Sequence, residues 1–471
     1  MGLGIAFLAL LLPLAACSMA PDYAPPQVAV PDAYKEVPAG WTQAAPADEA
    51  GRGAWWAMFG DPVLDDLETR MAQASPDLAA AVARLDAALA AARESRADLF
   101  PTISAGAEGV RERLSARRPN ATASSEYTDV TIGGALAYEL DLWGRVRNAV
   151  RAGRAEAQAS AADLQAARLS LQAALANAYF ELRGLDAQAA LLRQTVEANG
   201  RALELTTTRH EGGIASGIDV NRAQTVLSSA RAQISEVARQ RAITEHAIAA
   251  LIGEVASGFS IAPIEELAPA PVLPSESPSV LLQRRPDIAA AERRMFAANA
   301  QIGVARAAFF PTVTLGLSGG WEASHGQLLD TPSSFWGLGP LSAIVDLFDG
   351  GRRAARVRLS RAQYDEAAAV YRGTVLGAFR EVEDALAANR HLAAQSTDSD
   401  EAAAAAERTL DLALTRYHDG ASDYLDVVVA QTDALSARRA AIQVRTAHLQ
   451  AAVDLVRALG GDAGSPPSTG A

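Results

Sequence analysis

"RHEGGIASGIDVNRAQTVLSSAR" at residues 209–231 and "RYHDGASDYLDVVVAQTDALSAR" at residues 416–438 are two versions of one segment. About ten positions are identical, and each version carries a glycine, Gly213 or Gly420, where the helical pattern is interrupted. Other similar segments follow one another in the same order at an offset of roughly 205 to 210 residues. Because this offset is too long for the repeat of a solenoid, the chain contains a duplication of a whole structural unit.

The other repeated segments give the order of elements within a unit. "LFPTISAG" (99–106) corresponds to "FFPTVTLG" (309–316), and "DLWGRVR" (141–147) to "DLFDGGRR" (346–353). Each unit begins with a helix that has a proline in its first turn and is ended by another proline. Two segments in which apolar and polar residues alternate follow the helix, and this period predicts β-strands. The predicted strands are about 101–114 and 127–141 in the first unit, and about 311–324 and 333–348 in the second.

A very long helix follows the second strand of each unit, since no proline interrupts about 65 residues before the tip. At 1.5 Å per residue, such a helix is on the order of 100 Å long. Leu164, Leu171 and Leu185 share one heptad position, a spacing typical of coiled coils. The glycine-containing tip then reverses the chain into a return helix. The predicted long helices are about 143–210 and 351–418, the tips 211–218 and 419–424, and the return helices 219–252 and 425–459.

The first residues predict export and a lipid anchor. "MGLGIAFLALLLPLAAC" (1–17) has an apolar run too short to span a bilayer and reads as a secretory signal. It ends at Cys17 after leucine and two alanines, which resembles a bacterial lipobox, so we expect Cys17 to carry acyl chains. The alternative is an ordinary signal with a chance cysteine. The predicted organisation is a signal peptide at 1–16, an anchor and equatorial segment at 17–72, the first unit at 73–253, an equatorial linker at 254–284, the second unit at 285–460 and a disordered tail at 461–471.

Composition excludes several functional classes. The formal charge of -13 argues against a nucleic-acid partner, which favours a basic face. One cysteine excludes an internal disulfide. Histidine and methionine are few, and there is no HExxH or CxxC motif, so we expect no metal and no other cofactor. No Ser-His-Asp pattern, phosphate loop or carboxylate pair predicts catalysis, so we expect no enzyme activity.

The strands predict an oligomer. Hairpins with one apolar face are not stable alone, and open sheet edges do not occur in lipid. Two units supply only four strands, fewer than a barrel needs, whereas a homotrimer supplies twelve. The alternative for the strands is a half-buried sheet of a soluble domain, and the alternative for the heptads is a dimeric coiled coil. The secretory signal and the helices of about 100 Å favour the trimeric tube.

Three further segments strongly resemble the outer-membrane factor family, the TolC/OprM-like channels: "YELDLWGRVR" (138–147), "LQRRPDIAAAERRMFAANAQIGVARAAFFPT" (282–312) and "LFDGGRRAARV" (347–357). The similarity is closest to the NodT-type lipoprotein branch that serves tripartite efflux systems of the resistance-nodulation-division (RND) type. It implies an α+β membrane protein of TolC-like fold, a trimer whose 12-stranded outer-membrane β-barrel continues into a 12-helix periplasmic α-barrel surrounded by an equatorial belt.

The same resemblance implies a function and partners. The chain is expected to be a passive exit duct for small molecules in the outer membrane of a Gram-negative bacterium, lipid-anchored and extending into the periplasm. Its helical tips are expected to dock onto a periplasmic membrane-fusion adaptor, which connects to an inner-membrane RND-type pump. Two alternatives stay open, a non-conducting coiled-coil envelope lipoprotein and a type I secretion exit channel.

The resemblance also assigns roles at the tips. In some members of the family a basic residue of the gate stands where this chain has Ser422, so we expect the latch of this chain to be looser or to use another residue, Arg209 or Arg416. Asp219 and Asp426 have an alternative role as charges at helix N-termini. The implied gate residues are Asp219, Tyr417 and Asp426, and the implied adaptor-docking residues are Gly213, Ser216, Gly217, Gly420 and Ser422.

Aromatic residues near the strand ends suggest contact with the outer lipid interface. Such residues form girdles in transmembrane barrels, and buried contact between strands is the alternative. The residues predicted to form the girdle are Tyr127, Trp321, Phe335 and Trp336.

Overall fold

The computed structural model describes residues 18–26, 34–36, 53–119, 125–271, 284–323 and 333–461. The predicted signal peptide, Cys17 and nearly all of the predicted tail lie outside the described residues. No helix within the described ranges combines the length and the apolar character needed to cross a lipid bilayer.

The helices and strands follow the same order twice. After a short helix α1, the first unit consists of one helix, two strands, a long helix and a return helix, and the second unit repeats this series. The long helices have 67 residues each and the return helices 35 each. The predicted internal duplication is therefore confirmed. The elements are α1 (Pro62–Ala74), α2 (Pro76–Ala97), β1 (Thr102–Leu114), β2 (Ser125–Leu140), α3 (Arg145–Glu211), α4 (Gly217–Leu251), α5 (Pro286–Ala307), β3 (Thr312–Ala323), β4 (Ser334–Ile344), α6 (Arg352–His418) and α7 (Tyr424–Ala458).

An aspartate begins each long helix. Asp141 accepts hydrogen bonds from the backbone N–H groups of Val146 (3.1 Å) and Arg147 (2.8 Å). Asp349 likewise accepts hydrogen bonds from the backbone N–H groups of Gly351 (2.9 Å) and Arg353 (3.0 Å). A hydrogen bond from the Arg353 guanidinium to Asp349 lowers the pKa of this carboxyl to about 2. Both aspartates thus satisfy backbone donors that a helix start leaves free.

The four strands form one antiparallel sheet in the order β1-β2-β3-β4. Ile132 pairs with Trp321 and Thr131 with Glu322, and residues directly opposite each other share a face of the sheet. Alternation along each strand therefore separates an apolar face from a polar face. The apolar face includes Val130, Ile132, Leu136, Leu317 and Trp321, and the polar face includes Glu108, Thr131, Thr314, Ser318 and Glu322.

The last strand differs from its predicted range of 333–348. β4 ends at Ile344, because its last partner is Thr312, the first residue of β3. Pro311 precedes Thr312 and has no N–H to extend the ladder. Pro340 is accommodated within β4 where the pairing register shifts, between Leu315 and Leu317 on β3.

The described chain divides into two compact units, each of which takes parts of both repeats. Of the described residues, unit 1 comprises 18–26, 84–119, 125–161, 290–323 and 333–372 and contains the sheet. Its first residues lie against its helices: the Asn299 side chain donates to the Pro21 carbonyl (2.9 Å), and the Ser18 hydroxyl donates to the Asn148 side chain (3.0 Å). Gly303 is required there, since a Cβ would lie 2.8 Å from the Ala20 nitrogen.

Of the described residues, unit 2 comprises 34–36, 53–83, 162–271, 284–289 and 373–461, and it contains the tips. Its largest core joins α1, the middle of α3 and the ends of the return helices, with Leu64, Tyr179 and Leu449 buried together. The linker after α4 is fixed to this core, because Arg183 donates to the Ala262 carbonyl (2.7 Å) and Arg241 to the Ile261 carbonyl (2.6 Å). These bonds give partners to the buried Arg183 and the half-buried Arg241, as burial of charge requires.

Candidate functional site

The first tip reverses the chain through a left-handed glycine. α3 ends at Glu211, and Gly213 follows with φ +80°. The Gly213 N–H donates to the His210 carbonyl (2.9 Å), and the Ile214 N–H donates to the Arg209 carbonyl (2.8 Å). These bonds satisfy carbonyls of the last helical turn, and glycine adopts the required conformation without the cost that a Cβ brings.

The second tip has the same backbone geometry. Gly420 has φ +74°, its N–H donates to the Tyr417 carbonyl (3.1 Å), and the Ala421 N–H donates to the Arg416 carbonyl (2.8 Å). Each donor and acceptor in the second tip lies 207 positions after its equivalent in the first tip, as Arg416 lies 207 positions after Arg209. The duplicated sequence therefore produces two turns with one hydrogen-bond pattern.

The return helices begin with different caps. The Ser216 side chain accepts from the Asp219 N–H (3.3 Å), and the Asp219 carboxylate accepts from the Ser216 N–H (3.1 Å), which completes a capping box. In the second tip, Asp423 accepts from the Asp426 N–H (3.4 Å). The Asp426 carboxylate is exposed and makes no hydrogen bond or ion pair with the described residues. Both aspartates lie in the first turn of a return helix, the position that the alternative of a charge at the helix start requires. Asp219 also closes the capping box, whereas the Asp426 carboxylate makes no such bond.

Arg209 joins the two tips. Its guanidinium carbon lies 4.5 Å from the centroid of the Tyr417 ring, and its two terminal nitrogens donate to the carbonyls of Tyr417 (3.0 Å) and His418 (3.1 Å). The arginine therefore stacks on an aromatic ring and satisfies two carbonyls at the C-terminal end of α6. Arg209 is one of the two arginines that the sequence suggested as a substitute for a basic residue at position 422. Ser422 itself has a buried hydroxyl without a hydrogen-bond partner among the described residues.

A buried aromatic pair lies under Arg209. The rings of Tyr417 and Tyr424 have centroids 5.3 Å apart and pack with Ala223 of α4 and Val427 of α7. Burial, followed by the proximity of Tyr417 and Asp219, raises the pKa of Tyr424 to about 12. Tyr424 was not among the residues predicted for the gate. A second tyrosine seven residues after Tyr417, across the tip, is a sequence signal for such a packed pair.

A cavity of about 470 Å³ borders this pair between α3, α6 and α7. Tyr417 is one of the lining residues, and its buried hydroxyl has no hydrogen-bond partner among the described residues. Across the described ranges, no group of three or more histidine, cysteine, aspartate or glutamate residues could hold a metal ion.

The sheet register places the four predicted girdle residues on two faces. Trp321 and Trp336 lie on the apolar face, because Trp321 pairs with Ile132 and Trp336 with Gly319. Tyr127 pairs with Glu112 and donates to its carboxylate, on the polar face. Phe335 also lies on the polar face, where a Cβ at Gly133 would be 3.3 Å from its ring. The geometry of a lipid-facing girdle therefore fits only the two tryptophans.

Comparison with known proteins gives consistent matches over the chain. A family model described as "Outer membrane efflux protein" matches residues 69–254 and 277–461. The chain is 35% identical to the outer membrane protein OprJ of Pseudomonas aeruginosa over 468 residues, which cover 97% of this chain and 95% of OprJ. It is 34% identical to the probable efflux pump outer membrane protein TtgC of Pseudomonas putida over 457 residues, 95% of this chain and 93% of TtgC.

Solved structures show the same architecture. The outer-membrane channel OprN superposes with a TM-score of 0.88 at 30% identity, over 95% of this chain and 99% of OprN. The outer membrane protein VceC of Vibrio cholerae superposes with a TM-score of 0.81 at 30% identity, over 88% of this chain and 99% of VceC. These similarities confirm three predictions: the TolC-like fold class, the location in the outer membrane of a Gram-negative bacterium, and a transport channel instead of an enzyme.

Proposed function

Because the chain belongs to the outer membrane efflux protein family, we propose that it is the exit duct of a tripartite pump, through which small molecules pass passively from the periplasm to the exterior. The observation that carries the proposal is the open four-stranded sheet, with one apolar face and one polar face, on a chain whose long helices end in two equivalent tips. The duct supplies no energy, so an inner-membrane pump of the RND type drives transport through an adaptor.

The sheet requires further copies to enter lipid. β1 and β4 are edge strands of this chain, and an unpaired edge is not tolerated in the hydrocarbon core. A homotrimer closes twelve strands if β4 of each copy pairs with β1 of the next, with the apolar face toward lipid and the polar face toward the lumen. On the apolar face, Trp321 and Trp336 lie near the loop ends of their strands, where a tryptophan favours the lipid interface.

The tips are the proposed docking surface for the adaptor. Gly213, Ser216 and Gly217 in the first tip, and Gly420 and Ser422 in the second, leave little side-chain bulk at the turn. Beside them Ile214 is 81% exposed, so an apolar group stands free at the turn. Small residues next to an exposed isoleucine suit the close approach of a helical hairpin.

The gate is proposed to be built from Asp219, Tyr417 and Asp426, with Arg209 as the contact that holds the two tips of one chain together. The Arg209 guanidinium binds the end of α6, and the free Asp426 carboxylate adds negative charge beside the mouth. Opening then requires the guanidinium to leave the Tyr417 ring and the two carbonyls.

The anchor and the domain organisation stay proposals. Cys17 is the proposed site of acylation, and the bonds of Ser18 and Pro21 to Asn148 and Asn299 support an anchor close to the unit that carries the strands. The segments 17–72 and 254–284 are proposed to form the equatorial belt, with Ile261 fixed to α4 and Ala262 to α3.

Single-channel recording of the purified full-length protein in planar lipid bilayers tests the duct. A conducting trimer is the expected result. A trimer that inserts and conducts no ions would contradict the duct and favour the alternative of a structural coiled-coil lipoprotein.

Docking is tested separately by capture of the adaptor from single cysteines. Ser216→Cys and Ser422→Cys should each cross-link to a periplasmic adaptor, whereas a cysteine in place of Glu265, in the proposed belt, serves as the control. Adaptor capture at the belt without capture at either tip would refute the docking surface and leave the duct intact.

A further inference from the structure

The two repeats contact each other at two levels of the molecule, the tips and the starts of the long helices. At each level a side chain of the first repeat makes a contact that its equivalent in the second repeat does not make. At the tips, Arg209 is engaged, but the equivalent Arg416 is exposed and has no partner among the described residues. At the start of the long helices, Trp143 stacks on Phe310, with ring centroids 4.7 Å apart. The equivalent phenylalanine of the second repeat, Phe348, is 91% exposed.

The engaged contacts all run in one direction, from the first repeat to the second. Trp143 follows β2 and stacks on Phe310 at the end of α5, and its indole N–H donates to the Pro311 carbonyl (2.9 Å). Arg209 ends α3 and binds carbonyls at the end of α6. In a closed ring of copies, first and second repeats alternate around the ring. The second repeat of each copy therefore lies beside the first repeat of the next copy, in the position that the first repeat has beside the second within one chain.

The duplication identifies the missing acceptors at the tips. The shift of 207 positions that takes Arg209 to Arg416 also takes His210 to Tyr417 and Glu211 to His418. Because the two tips share one hydrogen-bond pattern, the carbonyls of His210 and Glu211 are arranged at the end of α3 as those of Tyr417 and His418 are at the end of α6. In the described chain no side chain donates to either carbonyl of the first tip.

The duplication also identifies the missing ring near the strands. "LFPT" at 99–102 corresponds to "FFPT" at 309–312, so Phe100 is the equivalent of Phe310. Phe100 is 62% exposed, and Phe348 is almost fully exposed. Two large apolar rings left in water at equivalent positions lose the free energy that their burial would supply.

We propose that the boundary between neighbouring copies of this chain repeats both contacts: Phe348 stacks on Phe100 of the partner subunit, and Arg416 donates to the carbonyls of His210 and Glu211 of the partner subunit. The inference rests on the proposed homotrimer. The six tips of the mouth are then held by alternating contacts, three within chains and three between chains.

The contact between chains differs in chemistry from the contact within a chain. Arg209 stacks on Tyr417, whereas the equivalent partner of Arg416 is His210. The His210 ring is held by its own turn, because its Nδ1 lies 2.9 Å from the Ala215 carbonyl. The acidic Glu211 stands where the second tip has His418. The boundary contact is therefore more ionic and less aromatic, and salt weakens it more.

Pairs of cysteines in the full-length protein test both levels. Arg416→Cys with Glu211→Cys, and Phe348→Cys with Phe100→Cys, are treated with a bis-maleimide whose spacer matches an arginine side chain. The matched controls are the equivalent pairs within one chain, Arg209→Cys with His418→Cys and Trp143→Cys with Phe310→Cys. Denaturing gels distinguish covalent dimers and trimers from monomers, and native sizing of the same samples reports whether the trimer has formed.

The expected result is covalent dimers and trimers for both boundary pairs, and monomers with an internal cross-link, found by peptide mapping, for both control pairs. A boundary pair that stays monomeric in an intact trimer whose control pair is linked overturns the proposal at that level and leaves the proposed duct standing. Absence of any trimer in native sizing of the wild-type protein overturns this inference together with the proposed trimeric duct.

Discussion

The two tips have the same backbone and different side chains. Each turn is closed by a left-handed glycine and two equivalent backbone hydrogen bonds. The first tip is closed by a polar capping box, whereas the second has a buried aromatic pair and, among the described residues, donates no side-chain hydrogen bond to the first. The repeated sequence therefore produces the same reversal of the chain twice, while the side chains that differ make the first tip the donor and the second tip the packed acceptor.

The largest expected difference between the tips lies at Tyr424, whose equivalent in the first tip is Gly217. Tyr424→Ala should destabilise the second tip by about 3–4 kcal/mol, because it removes a buried ring from a cluster. Gly217→Ala is the matched control and should change stability by less than about 0.5 kcal/mol, since the new Cβ meets only the His210 ring at 3.7 Å.

Hydrogen exchange of the tip amides in the detergent-solubilised trimer measures this difference. Faster exchange confined to the second tip in Tyr424→Ala supports the comparison. Equal acceleration by the alanine at Gly217 would show that the two tips do not differ in packing.

Substitution of Gly213 and of Gly420 should lower local stability equally, because both glycines close their turns in the same left-handed conformation. Gly213→Ala and Gly420→Ala should each cost about 1 kcal/mol of local stability, since both residues have positive φ and no atom near a new Cβ. Gly212→Ala, without a positive φ, is the control and should be nearly neutral. Hydrogen exchange is again the readout, and clearly unequal costs at the two glycines would break the equivalence of the turns.

The caps should give the smallest difference. Ser216→Ala should cost about 1 kcal/mol in the first return helix, because it removes one half of a capping box. Asp423→Ala should cost somewhat less, since its bond to the Asp426 N–H is long at 3.4 Å. Exchange rates of the first-turn amides of α4 and α7 check the order, and a larger cost at Asp423 would reverse it.

Much of the fold followed from local sequence. Glycine positions, proline-bounded helices and alternating strands gave the duplicated unit because each depends on neighbouring residues. Adjacent residues such as Phe335 and Trp336 must point to opposite faces of a strand, so a single girdle containing both could have been rejected from the period alone. Whether Tyr127 shares a face with Trp321 depends on the register between β2 and β3, which the sequence does not specify.

The contacts between the tips were less accessible from sequence. Arg209 and Tyr417 are 208 residues apart, and only the packing of α3 beside α6 brings the guanidinium onto the ring. The resemblance implied a weakened latch at Ser422 and suggested two arginines, but it could not choose between them. The structure engages Arg209 within the chain, because α3 and α6 of one chain are neighbours.

The most direct test of the tips as the gate is single-channel recording of a double variant, Arg209→Ala with Arg416→Ala, beside a matched control, Arg201→Ala with Arg408→Ala. The control arginines lie eight residues earlier on the same long helices. The gate predicts a several-fold larger conductance, or a several-fold larger fraction of open time, for the tip variant, and wild-type behaviour for the control. Wild-type conductance in the tip variant, with trimers intact, would contradict a gate held at the tips.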